Sequence, residues 1–172
     1  MSEKLDIERA TAQAFVRLYN AKMGTSYEIV DYADAPDVCC ADAHGNRLNL
    51  EITLTEDKPG DIKALLGRSD ARSLETLKAH LTKVKAGEAD PLERVSSLSG
   101  NVIEVVASRI GAKMNKKYGA NTALVVRDTS GVDWDWDLVV TDLGNSLRGQ
   151  VNPFDKGIWI LSSSKERIFH VL

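Results

Sequence analysis

The chain has 172 residues, 43% hydrophobic and 27% charged, which suits one domain with its own core and excludes a disordered, collagen-like or disulfide-framed chain. Its two cysteines, Cys39 and Cys40, are adjacent, and neighbours on a strand point to opposite faces, so no structural disulfide is implied. Net charge is −3 and the N-terminus is charged. No apolar run approaches the roughly 18 residues that span a bilayer, so neither a signal peptide nor a membrane helix is expected and a cytoplasmic setting is the default.

Residues 5–22 place Ile7, Thr11, Ala14 and Leu18 on one stripe and Glu8, Ala12, Phe15 and Tyr19 on the next, which predicts a first helix ending at Gly24. Strand formers fill 26–33, and a second run follows Pro36, from Asp37 to Asp42. Residues 47–55 then alternate, with Leu48, Leu50, Ile52 and Leu54 facing the core and Asn49, Glu51, Thr53 and Thr55 on the other face. After Pro59-Gly60 the pattern turns helical, giving an expected helical insertion at about 58–98. A further helix is expected from 102, after Ser99-Gly100-Asn101, to about 118, with Val102, Val105, Val106, Arg109, Ile110 and Met114 in register. Strands are expected at 121–127 and 157–162, a helix at 137–148 between them, and an edge strand in the tail 167–172. The whole is one α/β domain without internal repeats.

The small net charge hides a segregation along the chain. Residues 1–57 hold five basic and eleven acidic side chains, whereas 58–86 hold seven basic and three acidic ones. Basic residues dominate 104–127 again, and 128–142 carries five aspartates and no base. A fold that gathers acids at one spot and flanks them with basic segments would hold a divalent cation and attract a polyanion; solvated faces of ordinary helices are the plainer account.

Glu51 sits mid-strand on the non-core face, where a carboxylate must meet water, a cation or a metal. Hairpin register decides whether Asp37 joins it. A three-residue loop His44-Gly45-Asn46, closed by Asn46 in the left-handed conformation, pairs Ala43 with Arg47, Cys39 with Glu51 and Asp37 with Thr53. Asp37 and Glu51 are then diagonal neighbours on one face, close enough to share a metal. A loop one residue shorter or longer would set Val38 opposite Glu51 and separate the carboxylates.

Pro36-Asp37, a hairpin, then Leu50-Glu51-Ile52-Thr53 resembles the PD-(D/E)xK nuclease superfamily, and the order of elements resembles it over most of the chain. The resemblance implies a restriction-endonuclease-like core, a mixed four- to five-stranded sheet flanked by helices. It implies Mg²⁺, with Mn²⁺ as substitute, held by Asp37, Glu51 and the Ile52 carbonyl, and hydrolysis of phosphodiester bonds in nucleic acid, DNA above all. Thr53 stands where the family's usual lysine would be. Ile110-Gly-Ala-Lys113 resembles branches that supply the lysine from the following helix, and Glu8 resembles the helix-one glutamate of exonuclease-like members. Lys116 and Lys117, with Lys58, Lys63, Arg68 and Arg72, are the expected nucleic-acid contacts. A homodimer would let two sites meet two strands. The alternative is a catalytically inactive member of the fold that serves as a nucleic-acid-binding or protein-assembly module.

Other candidates are weaker. His44, His80 and His170 lack ligand spacing, and Cys39 beside carboxylates is not activated. The run Asp133-Trp134-Asp135-Trp136-Asp137 alternates as an extended segment would, with its tryptophans on one side, either packed or free to stack on a base.

Overall fold

The computed structural model describes residues 3–55, 86–87, 93–129, 134–162 and 166–172, and the side chains of Glu3 and of 93–102 are not among them. Helix α1, Glu3–Met23, is followed by strands β1 (Glu28–Tyr32), β2 (Val38–Ala41) and β3 (Arg47–Leu54). Helix α2 (Glu93–Met114) leads to β4 (Thr122–Asp128), α3 (Trp136–Leu147), β5 (Ile158–Ser162) and β6 (Arg167–His170). The strands form one six-stranded mixed sheet whose spatial order is the chain order. β1–β2, β2–β3 and β5–β6 pair antiparallel, and β3–β4 and β4–β5 pair parallel. The expected count of four to five strands is therefore low, because β1 and the tail strand β6 both join the sheet as its edges. The expected insertion at about 58–98 lies largely outside the described residues, as do Lys58, Lys63, Arg68 and Arg72.

Side-chain alternation divides the core in two. On one face Ala12, Phe15, Val16 and Tyr19 of α1 pack on Val38, Cys40, Leu48, Leu50, Ile52, Leu54, Ala123 and Val125. Tyr19 and Phe15 meet Trp159 of β5 edge-on, with ring centroids 5.4 and 6.1 Å apart, which fixes α1 across the sheet. On the other face Val106 and Ile110 of α2 and Trp136, Val139 and Leu143 of α3 cover Leu124, Val126, Ile158 and Ile160. This second core is apolar over the middle of β4 and β5, with Asp128 and Ser162 buried at their ends, but not over β3, where that face carries Asn49, Glu51, Thr53 and, just past the strand, Thr55. The last three are buried, so both faces of β3 are covered and a polar strip runs beneath α2.

Three expectations change in detail. Helix α2 begins at Glu93 and ends at Met114, so Gly100 and Asn101 lie inside it; one interior glycine costs about 1 kcal/mol, which continuation of a 22-residue helix can absorb. The chain then tightens, Lys116 N–H donating to the Lys113 carbonyl at 3.1 Å, and Lys116 and Lys117 fall in the connection to β4. The aspartate–tryptophan run is not extended where it is described. Asp135 caps α3, its carboxylate accepting from the Leu138 N–H, and Trp136 is buried against Phe169 at 5.6 Å, which removes Trp136 as a platform for a base.

Candidate active site

The hairpin between β2 and β3 sets the geometry of the two carboxylates. Its ladder pairs Ala41 with Arg47, Cys40 with Leu48, Cys39 with Asn49 and Val38 with Leu50. Asp42 N–H donates to the Asn46 carbonyl, and the Asp42 carboxylate accepts from the N–H groups of both His44 and Asn46. The three loop residues are thus Ala43, His44 and Gly45, with Gly45 supplying the left-handed conformation at φ 83°. The expected loop was placed one residue too far along, because Asn46 was assigned the role that Gly45 takes. That error shifts the register by two residues, which leaves every side chain on its expected face. It replaces the diagonal relation with a direct one: continued one step beyond Val38–Leu50, the ladder sets Asp37 opposite Glu51.

The same step exposes backbone. Asn49 and Thr55 N–H donate to Asn121 and Arg127 carbonyls on the β4 side, so by alternation the backbone groups of Leu50, Ile52 and Leu54 face β2. β2 ends opposite Leu50. The Ile52 N–H is taken by the Asp37 carboxylate, 2.6 Å to Oδ2. Pro36, next in line, has no N–H to offer the Ile52 carbonyl, so the β2 side supplies that oxygen with no ladder partner.

Helix α2 closes the site from above the polar strip. Lys113, in its last turn, places Nζ 2.6 Å from Glu51 Oε1. Thr53 is buried on the same face, so the position two residues after Glu51 offers a hydroxyl and the cation arrives from the helix. One turn earlier, Arg109 reaches the Thr55 carbonyl at 3.5 Å. Tyr118, which sequence reasoning passed over, lies against Phe154 with ring centroids 4.5 Å apart. Among the described residues its hydroxyl is buried without a hydrogen-bond partner. Nothing in its sequence neighbourhood announces this, since Phe154 arrives 36 residues later.

Burial pushes the Asp37 carboxyl up to about 6; the charges of Glu51 and Glu8 push the same way, against the Ile52 N–H and Lys113. Burial likewise pushes the Tyr118 phenol up to about 12, helped by the charges of Glu51 and Asp37. Both effects describe one place, where two acids and a hydroxyl share a poorly hydrated space. Glu8 of α1 joins from the other side of the sheet: it lines, with Asp37, a cleft of about 460 Å³. The structure therefore gathers Asp37, Glu51, Ile52, Lys113 and Glu8, and leaves Lys116 and Lys117 exposed nearby in the chain.

Among the described residues no three or more His, Cys, Asp or Glu side chains gather as a metal cage. Two carboxylates with one backbone carbonyl nevertheless fit Mg²⁺, which is held by one or two carboxylates and completes its shell with water and substrate oxygens. A site needing thiolate or imidazole does not fit. No family model, curated protein or solved structure matches the chain. No helix among the described residues is long and apolar enough to cross a membrane.

Proposed function

We propose that this chain is a Mg²⁺-dependent nuclease, with Mn²⁺ as substitute, that hydrolyses phosphodiester bonds of nucleic acid and of DNA above all, on a core of the restriction-endonuclease-like type. The observation that carries the reading is the 2.6 Å contact of Lys113 with Glu51, made where Asp37 stands across the hairpin from Glu51 and the Ile52 carbonyl is open. Asp37, Glu51 and that carbonyl would hold the cation, which when bound lowers the pKa of water and neutralises charge on phosphoryl oxygens. Lys113 orients the attacking water and donates to oxygens that gain charge in the transition state. The α2 roof and Tyr118, half-buried with its hydroxyl inside, limit the access of bulk water, which strengthens each of these interactions. Glu8 adds negative charge at the Asp37 side. Lys116 and Lys117 supply phosphate contacts at the surface.

The test is Mg²⁺- and Mn²⁺-dependent cleavage of single-stranded, double-stranded and branched DNA and of RNA, with Glu51→Ala purified in parallel. Cleavage by wild type that is absent from the variant is the expected result. Thr53 in place of a lysine favours a second reading, a non-catalytic module of the same fold. Failure to cut any substrate, with no metal-induced rise in Tm, would select it.

A further inference from the structure

The cleft that Asp37 shares with Glu8 continues outward, and its outer part is built differently from its floor. The floor is acidic. The exposed rim carries Lys4 and Arg9 from the first turns of α1 and Tyr32 from the end of β1, with one acid, Asp34, among them. Arg9 stands over the Tyr32 ring with its guanidinium carbon 5.0 Å from the centroid, and Tyr32 keeps 37% of its surface exposed. Lys4 holds Glu8 only loosely, at 3.8 Å, and is itself 57% exposed. A bulge between Ile29 and Asp31 lies immediately before Tyr32, and a bulge re-aims the strand it interrupts. Edge strand β1 and helix α1 thereby present an aromatic ring and a cation together in a cleft that Asp37 also lines.

A ring for stacking beside cations for phosphate is the pairing that recognises unpaired nucleotides, because every base offers a π-face once it leaves the duplex stack. An acidic peptide would use the cations and leave the tyrosine idle. A volume of about 460 Å³ is that of a small-molecule pocket, large enough for one nucleotide and too small for a stack of base pairs. We infer that the Lys4–Arg9–Tyr32 rim is a binding site for one unpaired nucleotide, stacked on Tyr32 with its phosphate on Arg9 and Lys4, so that the chain takes single-stranded or frayed nucleic acid in preference to intact duplex. The inference rests on the nuclease reading for where the reacting phosphate lies, since the strand would pass from this rim to Asp37.

The experiment measures anisotropy of a labelled single strand and of its duplex, each titrated with the full-length protein in EDTA and in Ca²⁺, with strand integrity checked in the same samples. Wild type should bind the single strand more tightly. Tyr32→Ala should weaken that binding about tenfold and leave the duplex unchanged, whereas Tyr32→Phe, which keeps the ring, should stay within about twofold of wild type. Arg9→Ala should lower the slope of log affinity against log salt by about one. Equal Tm values confirm that the variants are folded, as the exposure of Tyr32 leads one to expect. A Tyr32→Ala variant that binds the single strand like wild type, or a wild type that prefers duplex, overturns the inference. Tyr32-dependent single-strand binding with no cleavage under any metal sustains it while removing the nuclease reading; Glu51-dependent cleavage that is indifferent to Tyr32→Ala does the reverse.

Discussion

Asp37 is held where its ionised form is disfavoured. Its carboxyl is pushed up to about 6, from an ordinary 3.8, mainly by burial. A raised carboxyl favours its protonated form in the fold, so its contribution to stability is fully present below about pH 3.8 and is lost as pH rises through about 6. Asp37→Asn should therefore stabilise the metal-free protein at pH 7.5 by about 1 kcal/mol, a modest figure because water still reaches part of the group. The gain should fade to nothing near pH 4. Thermal melts in EDTA across that range check it, and a pH-independent difference would contradict it. Lys113 makes the complementary case. Removing it leaves Glu51, 7% exposed, without its cation, so Lys113→Ala should cost about 2 kcal/mol and Glu51→Gln in the same chain should restore part of the loss. On the nuclease reading, turnover should fall in Lys113→Ala with little loss of DNA affinity, which separates chemistry from binding. Much of this site was legible in the residues. Alternation marked Glu51, proline and the turn marked Asp37, and the helix stripe put Lys113 beside the core side rather than the solvent side. Tyr118 and the Arg9–Tyr32 pair were not legible, because each is made by residues far apart in the chain whose meeting depends on packing and not on any local pattern.

At the scale of elements, strand positions survived where loop positions did not. The periods of α1, β3, β4 and α3 are set by burial against a neighbour, and such patterns repeat often enough to be read. The β2–β3 loop turned on one choice between Asn46 and Gly45, two residues that both tolerate a positive φ. Asp42 settles it by bonding His44 and Asn46 N–H groups, a local side-chain clamp of the kind aspartate makes at turns. Gly45 has open space where a Cβ would stand, so Gly45→Ala should cost only the conformational penalty, about 1 kcal/mol and a Tm lower by about 3 °C. Gly157, just before β5, has the same sign of φ, 90°, but a Cβ there would lie 2.7 Å from both His170 Nε2 and the Leu172 carbonyl. Since a carbonyl of the chain's last residue cannot yield without undoing its bond to the Ile158 N–H, Gly157→Ala should lower Tm by roughly 10 °C or more. Parallel melts of the two variants check the contrast. Equal losses would mean that φ alone sets the cost.

For the molecule as a whole, α/β class and element order followed from pattern, while the sheet's width and the two-faced burial of β3 did not. A strand with one polar row looks half-solvated in sequence. Here that row is covered by α2, and the cover is possible because Lys113 neutralises the acid it would otherwise strand in the interior. The hydrophobic count along α2 cannot reveal this, since the polar strip takes the place of apolar contacts that an ordinary sheet would supply.

Chain order and sheet order coincide, and this orders events in time. Glu51 and Lys113 stand 62 residues apart, and proteins emerge from synthesis N-terminus first. The hairpin bearing Asp37 and Glu51 is complete well before the lysine exists. On the nuclease reading, the two carboxylates are in place before their lysine, and competence waits until α2 has been made and has docked.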